Sequence, residues 1–95
     1  MAKAYICITE DVKDPDGMAE YAKLASQTMG NAKILAFDSN AEQIEGQWHG
    51  TQTVLLEFES EEAAKQWYYS DEYQAALKLR QAAADCNGAI IHGLG

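Results

Sequence analysis

The sequence predicts an α+β domain in which one antiparallel sheet carries helices on one of its faces. The predicted elements follow the order strand, helix, strand, strand, helix, strand. In the second half of the chain, Glu57 to Asp85 runs from a strand end into two capped helical segments. Apolar residues alternate along Thr51 to Phe58, as they do in a β-strand. The chain of 95 residues is predicted to form one domain, residues 1–95.

The first half of the chain is predicted to contain a strand and an amphipathic helix. Ala4 to Thr9 is rich in β-branched and aromatic residues, which favour a strand. Asp14 and Pro15 then supply an N-cap and a proline in the first helical turn. Gly30 and Asn31 are expected to end the helix. One helical face carries its apolar side chains, at Met18, Tyr21, Ala22, Ala25 and Met29.

Two further strands are predicted in the middle of the chain, at Lys33 to Asp38 and at Thr51 to Phe58. Both faces of the second of these strands carry apolar residues, so both faces are expected to be covered. Between the two strands, Trp48 and His49 lie on a predicted loop, where functional side chains are common.

The last part of the chain is predicted to form two consecutive helical segments and a strand. Ser60 is a suitable N-cap for the first segment, which runs through Trp67, and Ser70 caps the second. Asn87-Gly88 is expected to turn the chain into a final strand at Ala89 to His92.

This element order is the βαββαβ pattern of ferredoxin-like folds. In such a fold the helices cover only one face of the antiparallel sheet. An apolar face left uncovered must find a partner. We therefore expect a homodimer in which the sheet faces of two copies pack together, because a symmetric dimer is the simplest solution.

The composition excludes several classes of partner. Fifteen acidic and seven basic residues leave a net charge of −8, and the bases are scattered, which argues against nucleic acid. No apolar run approaches the roughly 20 residues that span a bilayer, so no membrane association is expected. The two cysteines, Cys7 and Cys86, show no sign of pairing, and reduced thiols predict a cytoplasmic location.

The chain resembles the DUF1330 proteins, small domains of unknown function in the dimeric α/β-barrel superfamily. The resemblance covers nearly the whole chain, including the first strand with DPDGMAEYAKLA. Its most specific block runs through Glu57-Phe58, Ser60, Ala63, Trp67-Tyr68, Ser70, Tyr73 and Arg80. The resemblance implies a ferredoxin-like subunit that dimerises through its sheets, forming a dimeric α/β barrel. It implies no particular activity.

Arg80 and Glu57 are the candidate catalytic residues. Arg80 lies on the apolar face of its helix, where a charge is costly unless it is paired. Its planar guanidinium could bind a ligand carboxylate with two hydrogen bonds. Alternatively, it forms a structural salt bridge with Glu57 or lays its stem across the core. Glu57, in turn, is either the partner of Arg80 or a buried base that moves protons.

Four further residues are candidate ligand contacts beside Arg80. Trp67 and Tyr73 could enclose a ligand with their polar tips at a pocket rim, although helical spacing also explains them as core. Ser70 is a helix cap before it is a site residue, and Trp48 either contacts the ligand or covers the barrel mouth or the dimer contact. The two histidines, His49 and His92, have no metal-ligand spacing, so neither metal nor cofactor is expected.

Two functional hypotheses follow from these residues. The first is a protein that binds or processes a small, partly apolar molecule, with or without a carboxylate, in a pocket between sheet and helices. The second is a non-catalytic homodimer that serves as an interaction or metabolite-binding module. The absence of a nucleophile–base pair, a metal set or a phosphate loop favours the second. We nevertheless favour a small-molecule site of unassigned activity, and whether the chain is an enzyme stays open.

Overall fold

The computed structural model describes residues 2–94, which form a four-stranded sheet and three helices. The elements are β1 (Ala4–Val12), α1 (Pro15–Ser26), β2 (Lys33–Asp38), β3 (Gln52–Phe58), α2 (Glu61–Tyr68), α3 (Asp71–Ala83) and β4 (Ala84–His92). The predicted interruption between the two helical segments of the second half is confirmed, since α2 and α3 are separate helices.

The sheet has the strand order β2-β3-β1-β4, and all three neighbouring pairs are antiparallel. This is the predicted ferredoxin-like βαββαβ arrangement, in which the two central strands are the first and third along the chain. The helices cover one face of the sheet, which we call the helix face. The opposite face is called the outer face.

Alternation along the strands separates the two faces. In β1 the side chains of Ala4, Ile6, Ile8 and Glu10 are buried on the helix face, whereas the residues between them are half-buried. Their partners on β3, Leu56 and Phe58, complete the same face. The helices add Ala64, Trp67, Tyr73, Ala76 and Leu77 to this core. The core therefore lies between the sheet and the second and third helices.

The prediction that α1 ends at Gly30-Asn31 is wrong, because the helix ends at Ser26. Thr28 donates both its amide and its hydroxyl hydrogen to the carbonyl oxygen of Ala25, at 2.9 and 2.8 Å. These bonds reach back three residues, not the four of an α-helix, and so tighten the last turn. Asp14 occupies the N-cap position as expected, but its side chain makes no capping hydrogen bond.

Serine caps start α2 and α3 as predicted. The side chain of Ser60 accepts a hydrogen bond from the amide of Ala63, and that of Ser70 accepts one from the amide of Tyr73. Ser70 also donates its hydroxyl hydrogen to the carbonyl oxygen of Trp67 at 2.7 Å. The same side chain thus ends the turn after α2 and begins α3.

The predicted turn at Asn87-Gly88 is also wrong. Both residues lie inside β4, where they face Thr9 and Ile8 of β1. Helix α3 passes into β4 with no connecting loop, since Ala83 is the last helical residue and Ala84 the first of the strand. The nine-residue ladder between β1 and β4 overrides the turn preference of the Asn-Gly pair. No helix of the described part is long and apolar enough to cross a membrane.

Candidate functional site

Helix α1 packs along α3 and stands away from the β2 side of the sheet. As a result, two large side chains on the helix face of β2 remain open to solvent: Ile34 is 60% exposed and Phe37 is 63% exposed. The sheet is therefore covered by α2 at its centre but not by α1 at its β2 edge. A cleft opens between α1 and the strands β1, β3 and β2.

This cleft has a volume of about 360 Å³ and is largely apolar. Its walls include Met18, Tyr21, Ala22, Phe37, Val54 and Trp67. Glu10 and Gln52, which are paired across β1 and β3, provide carboxyl and amide groups in the same wall. A mostly apolar cavity with a few fixed polar groups is the usual form of a small-molecule site.

Glu10 is the buried carboxyl group of this cleft, with 1% of its surface exposed. One carboxyl oxygen accepts a hydrogen bond from the side-chain amide of Gln52 at 2.6 Å. The other lies 3.9 Å from Nε of Arg80. Burial raises the pKa of Glu10, and this effect outweighs the opposing influence of Gln52 and Arg80. Glu10 therefore keeps its proton to a higher pH than an ordinary glutamate.

Arg80 lies behind Glu10 and is 4% exposed. Its guanidinium carbon is 5.7 Å from the centre of the Tyr21 ring, which gives a cation–π contact. The hydroxyl groups of Tyr21 and Tyr73 are hydrogen-bonded at 2.8 Å, and burial raises the pKa of both. Within residues 2–94, Nε of Arg80 is the one buried side-chain nitrogen or oxygen without a hydrogen-bond partner.

A second cavity of about 680 Å³ lies between α3 and β4. Arg80 lines this cavity and not the cleft beneath α1. Cys86 lies beside it in the wall, and burial raises the pKa of its thiol although Arg80 opposes that shift. Glu10 and Arg80 therefore stand between two cavities, the carboxyl facing one and the guanidinium facing the other.

The predicted pairing of Glu57 with Arg80 is wrong. Glu57 faces Tyr5 and Lys33 across the sheet, which places it on the outer face. Its carboxylate pairs with Nζ of Lys3 at 3.3 Å. The carboxylate beside Arg80 is Glu10. Because Glu57 and Arg80 lie on opposite faces of the sheet, they cannot act together in one pocket.

Trp67 and Tyr73 lie together in the core, with ring centres 3.9 Å apart. Trp67 borders the cleft, and its indole nitrogen donates a hydrogen bond to the Thr28 hydroxyl at 3.0 Å. Tyr73 is completely buried and is linked to the cleft by its hydroxyl bond to Tyr21 and by its contact with Trp67. The structure thus brings Trp67, Tyr73 and Arg80 into one neighbourhood.

Trp48 and Ser70 lie elsewhere. Trp48 is 51% exposed on the loop before β3, and its indole nitrogen donates to the hydroxyl of Thr53 on the outer face at 2.8 Å. Ser70 is engaged in the two bonds between α2 and α3 described above. Neither residue borders the cleft. Their predicted ligand contacts remain predictions without a geometric basis in this cavity.

Sequence reasoning missed Glu10, Gln52 and Tyr21 as site residues. The signal for Glu10 was present, because it continues the buried alternation of Ala4, Ile6 and Ile8 by one more step. Ending the predicted strand at Thr9 placed Glu10 in a loop, whereas β1 continues to Val12. Residues 2–94 contain no group of three or more His, Cys, Asp or Glu side chains that could hold a metal ion.

Comparison with known proteins identifies the fold. A family model described as "Domain of unknown function (DUF1330)" matches residues 3–94. No curated protein matches the chain significantly. A crystal structure of a protein of unknown function from Rhodopseudomonas palustris is 17% identical, with a TM-score of 0.79, and the match covers 99% of this chain and 84% of that one.

Two other solved structures share the fold. A dimeric ferredoxin-like protein of unknown function from Thermobifida fusca is 15% identical, with a TM-score of 0.68 and coverage of 98% of this chain and 92% of that one. SnoaB, a cofactor-independent oxygenase from Streptomyces nogalater, is 6% identical, with a TM-score of 0.68 and coverage of 100% and 96%. At such identities the likeness extends to the fold alone.

Proposed function

The chain belongs to the DUF1330 family of domains of unknown function, and we propose from the geometry of its cleft that it binds a small, largely apolar molecule. The observation that carries this proposal is the opening of about 360 Å³ beneath α1, which is walled by apolar side chains around the Glu10–Gln52 pair. Exposed Ile34 and Phe37 would lose their contact with water when the cleft is filled.

The ligand of this cleft is expected to carry an uncharged polar group, such as a hydroxyl or carbonyl. Glu10 is the acidic group in the wall, so a carboxylate ligand would meet a carboxyl group rather than a cation. Arg80, which was expected to hold a carboxylate, does not border the cleft. A hydroxyl or carbonyl oxygen can exchange hydrogen bonds with Glu10, Gln52 or the Tyr21 hydroxyl without leaving a buried charge unpaired.

A catalytic version of this proposal assigns proton transfer to Glu10. A carboxyl group whose pKa is raised by burial is a candidate general acid or base, because it can hold or release a proton nearer neutral pH. SnoaB, which shares the fold, is described as a cofactor-independent oxygenase. The non-catalytic alternative, a metabolite-binding module, uses the same cleft and ligand class, and the two differ only in whether bound ligand is converted.

Calorimetric titration with para-bromophenol, a small neutral phenol, tests the binding proposal. The variant Glu10→Met removes a carboxyl group from the helix face. The control Glu57→Met makes the same chemical change on the outer face. We expect wild type and Glu57→Met to bind alike, and Glu10→Met to bind about tenfold more weakly, as the loss of one hydrogen bond predicts. Absence of binding to wild type, or equal loss in both variants, would overturn the proposal.

We also propose that two copies pack through their outer faces. The dimeric Thermobifida fusca neighbour supports this arrangement, as does the outer face itself, where Ile91 is 48% exposed beside half-buried Tyr5, its partner on β1. The test is light scattering on Ile91→Arg, with Leu79→Arg as a control on the surface of α3, where Leu79 is 39% exposed. Only Ile91→Arg should yield monomers; a monomeric wild type or identical behaviour of the variants would contradict the arrangement.

A reducing, cytoplasmic location is proposed on the state of the thiols. Cys7 and Cys86 are both free. They lie on opposite faces of the sheet, since Cys86 pairs with buried Glu10 whereas Cys7 alternates with the buried residues of β1. Free thiols are typical of proteins kept in reducing compartments.

A further inference from the structure

We propose that the cavity between α3 and β4 is a second binding site, which takes a small carboxylate on the guanidinium of Arg80. This site is separate from the cleft beneath α1 and does not depend on the function proposed for it. Its walls include Tyr68, Arg80, Gln81, Cys86, Asn87 and Ile90. The wall also holds one carboxylate, that of Asp85, and the remaining cation, two amides and apolar surface suit a carboxylate that carries a small apolar group.

The first support is the unsatisfied hydrogen-bonding capacity of Arg80. Nε is buried and has no hydrogen-bond partner among residues 2–94. The nearest carboxyl oxygen, Oε2 of Glu10, lies 3.9 Å from Nε, and the other oxygen of Glu10 accepts a hydrogen bond from Gln52. An arginine always carries its charge in a protein, and its donors are costly to bury without acceptors. A carboxylate in the cavity would add an acceptor on the side of the guanidinium that borders it.

The second support is the direction in which Arg80 is accessible. It borders the cavity between α3 and β4 and does not border the cleft. The tyrosine pair of Tyr21 and Tyr73 and the carboxyl group of Glu10 occupy its other sides. A ligand can therefore approach the guanidinium only from the α3–β4 cavity.

Asp85 is the acidic residue in the wall of this cavity, and it leaves Arg80 free. Its side chain is 78% exposed, and its carboxylate lies 3.8 Å from Nε2 of His49. Asp85 pairs with Asp11 of β1, and the next residue, Cys86, pairs with Glu10, which points to the helix face. Alternation thus directs Asp85 to the outer face, away from Arg80.

The ligand class follows from the guanidinium. Its planar fork matches a carboxylate with two parallel hydrogen bonds, a geometry that a neutral amide of the same shape cannot reproduce. Benzoate is therefore a suitable probe, and benzamide is its neutral counterpart. The apolar ring would lie against Tyr68 and Ile90, which border the same cavity.

Site-resolved alkylation tests the proposal on the wild-type chain. Iodoacetamide modifies the free thiol of Cys86 in the cavity, and mass spectrometry follows its alkylation, with benzamide as the neutral control. Saturating benzoate, at constant ionic strength, should slow the alkylation of Cys86 by about threefold or more, whereas benzamide should not. Equal rates with and without benzoate, or equal protection by benzamide, would overturn the proposal.

Charge variants locate the anion without relying on a change at Arg80. Gln81→Glu adds a negative charge to the cavity wall, and Gln66→Glu adds the same charge on exposed α2, outside this cavity. Only Gln81→Glu should raise the benzoate concentration needed for half-protection of Cys86, by about threefold. Identical shifts in the two variants would reduce the effect to surface charge and contradict the proposal.

Arg80→Gln completes the test where that variant folds, and benzoate should then give Cys86 no protection. Continued protection would overturn the proposal. Binding of para-bromophenol to the cleft is measured separately in the same proteins. A failure of the carboxylate site therefore leaves the proposed function of the cleft standing, and the reverse also holds.

Discussion

Glu10 and Arg80 form the buried ionisable pair of this fold, with 3.9 Å between the Glu10 carboxyl oxygen Oε2 and Nε of Arg80. Both side chains lie on the helix face and are almost completely shielded from water. The pair brings together the first strand and the third helix, which are far apart along the chain. It also separates two cavities, since Glu10 lines the cleft beneath α1 and Arg80 lines the cavity between α3 and β4.

The pH dependence of stability should report the burial of Glu10. Its pKa is raised by burial, so between the ordinary value of about 4.5 and its own pKa the folded state binds more protons than the unfolded state. In that window the free energy of unfolding falls as pH rises. Glu10→Gln does not titrate, so the wild type should lose stability relative to this variant as pH rises above about 4.5.

Chemical denaturation at a series of pH values measures this difference. The pKa values of Asp11 and Glu61 are lowered by Lys13 and Lys65, so these two groups make the free energy of unfolding rise with pH. Their effect falls at pH values below their ordinary pKa values and is the same in the wild type and the variant. Wild type and variant curves that stay parallel above pH 4.5, or a wild type that gains relative stability there, would show that burial does not dominate at Glu10.

The hydroxyl bond between Tyr21 and Tyr73 should contribute as a unit. Tyr73 is completely buried, so Tyr21→Phe leaves the Tyr73 hydroxyl without its tyrosine partner. This change is expected to lower the free energy of unfolding by about 1–3 kcal/mol. The double variant Tyr21→Phe/Tyr73→Phe removes both groups and should cost less than the sum of the single changes. A double-mutant cycle by denaturation measures the coupling, with 67%-exposed Tyr69→Phe as a control near zero. Additive losses would mean that the hydroxyls do not depend on each other.

Gly50 should be the least replaceable glycine in the loop before β3. Its φ is 85°, and a Cβ atom there would collide with the backbone carbonyl of Glu10. Gly46 has a φ of 61° but open space around it, so Gly46→Ala carries only the cost of the left-handed backbone, about 1–2 kcal/mol. We expect Gly50→Ala to lower the free energy of unfolding by at least about 1 kcal/mol more. Similar losses for both variants would mean that the loop moves away from β1 freely.

Local signals in the sequence predicted most of the fold. The serine caps at Ser60 and Ser70 and the alternation in β3 depend on neighbouring residues, and these elements were predicted correctly. The early end of α1 has a local cause, since the Thr28 side chain binds the carbonyl oxygen of Ala25. The other error arose where distant contacts decide the structure, because the Asn87-Gly88 pair is held extended by its ladder with β1.

The candidate site was harder to predict for the same reason. Arg80, Trp67 and Tyr73 lie in one helical region, and their proximity followed from spacing along the chain. Identifying Glu10, and not Glu57, as the carboxylate near Arg80 required extending β1 beyond Thr9 and knowing which face of the sheet the helices cover. Strand alternation alone leaves that choice open, because a one-residue change of register reverses the faces.

Trp67 fluorescence tests the central claim, that the cleft beneath α1 binds a small neutral apolar molecule. With Trp48→Phe as background, Trp67 is the remaining tryptophan and lines the cleft. Bound para-bromophenol should quench it saturably, and para-bromobenzoate should not. Ala22→Phe, which fills the cleft, should abolish quenching, whereas Ala82→Phe on the exposed surface of α3 should leave it intact. Quenching that survives Ala22→Phe, or that is equal for the benzoate, would contradict the claim.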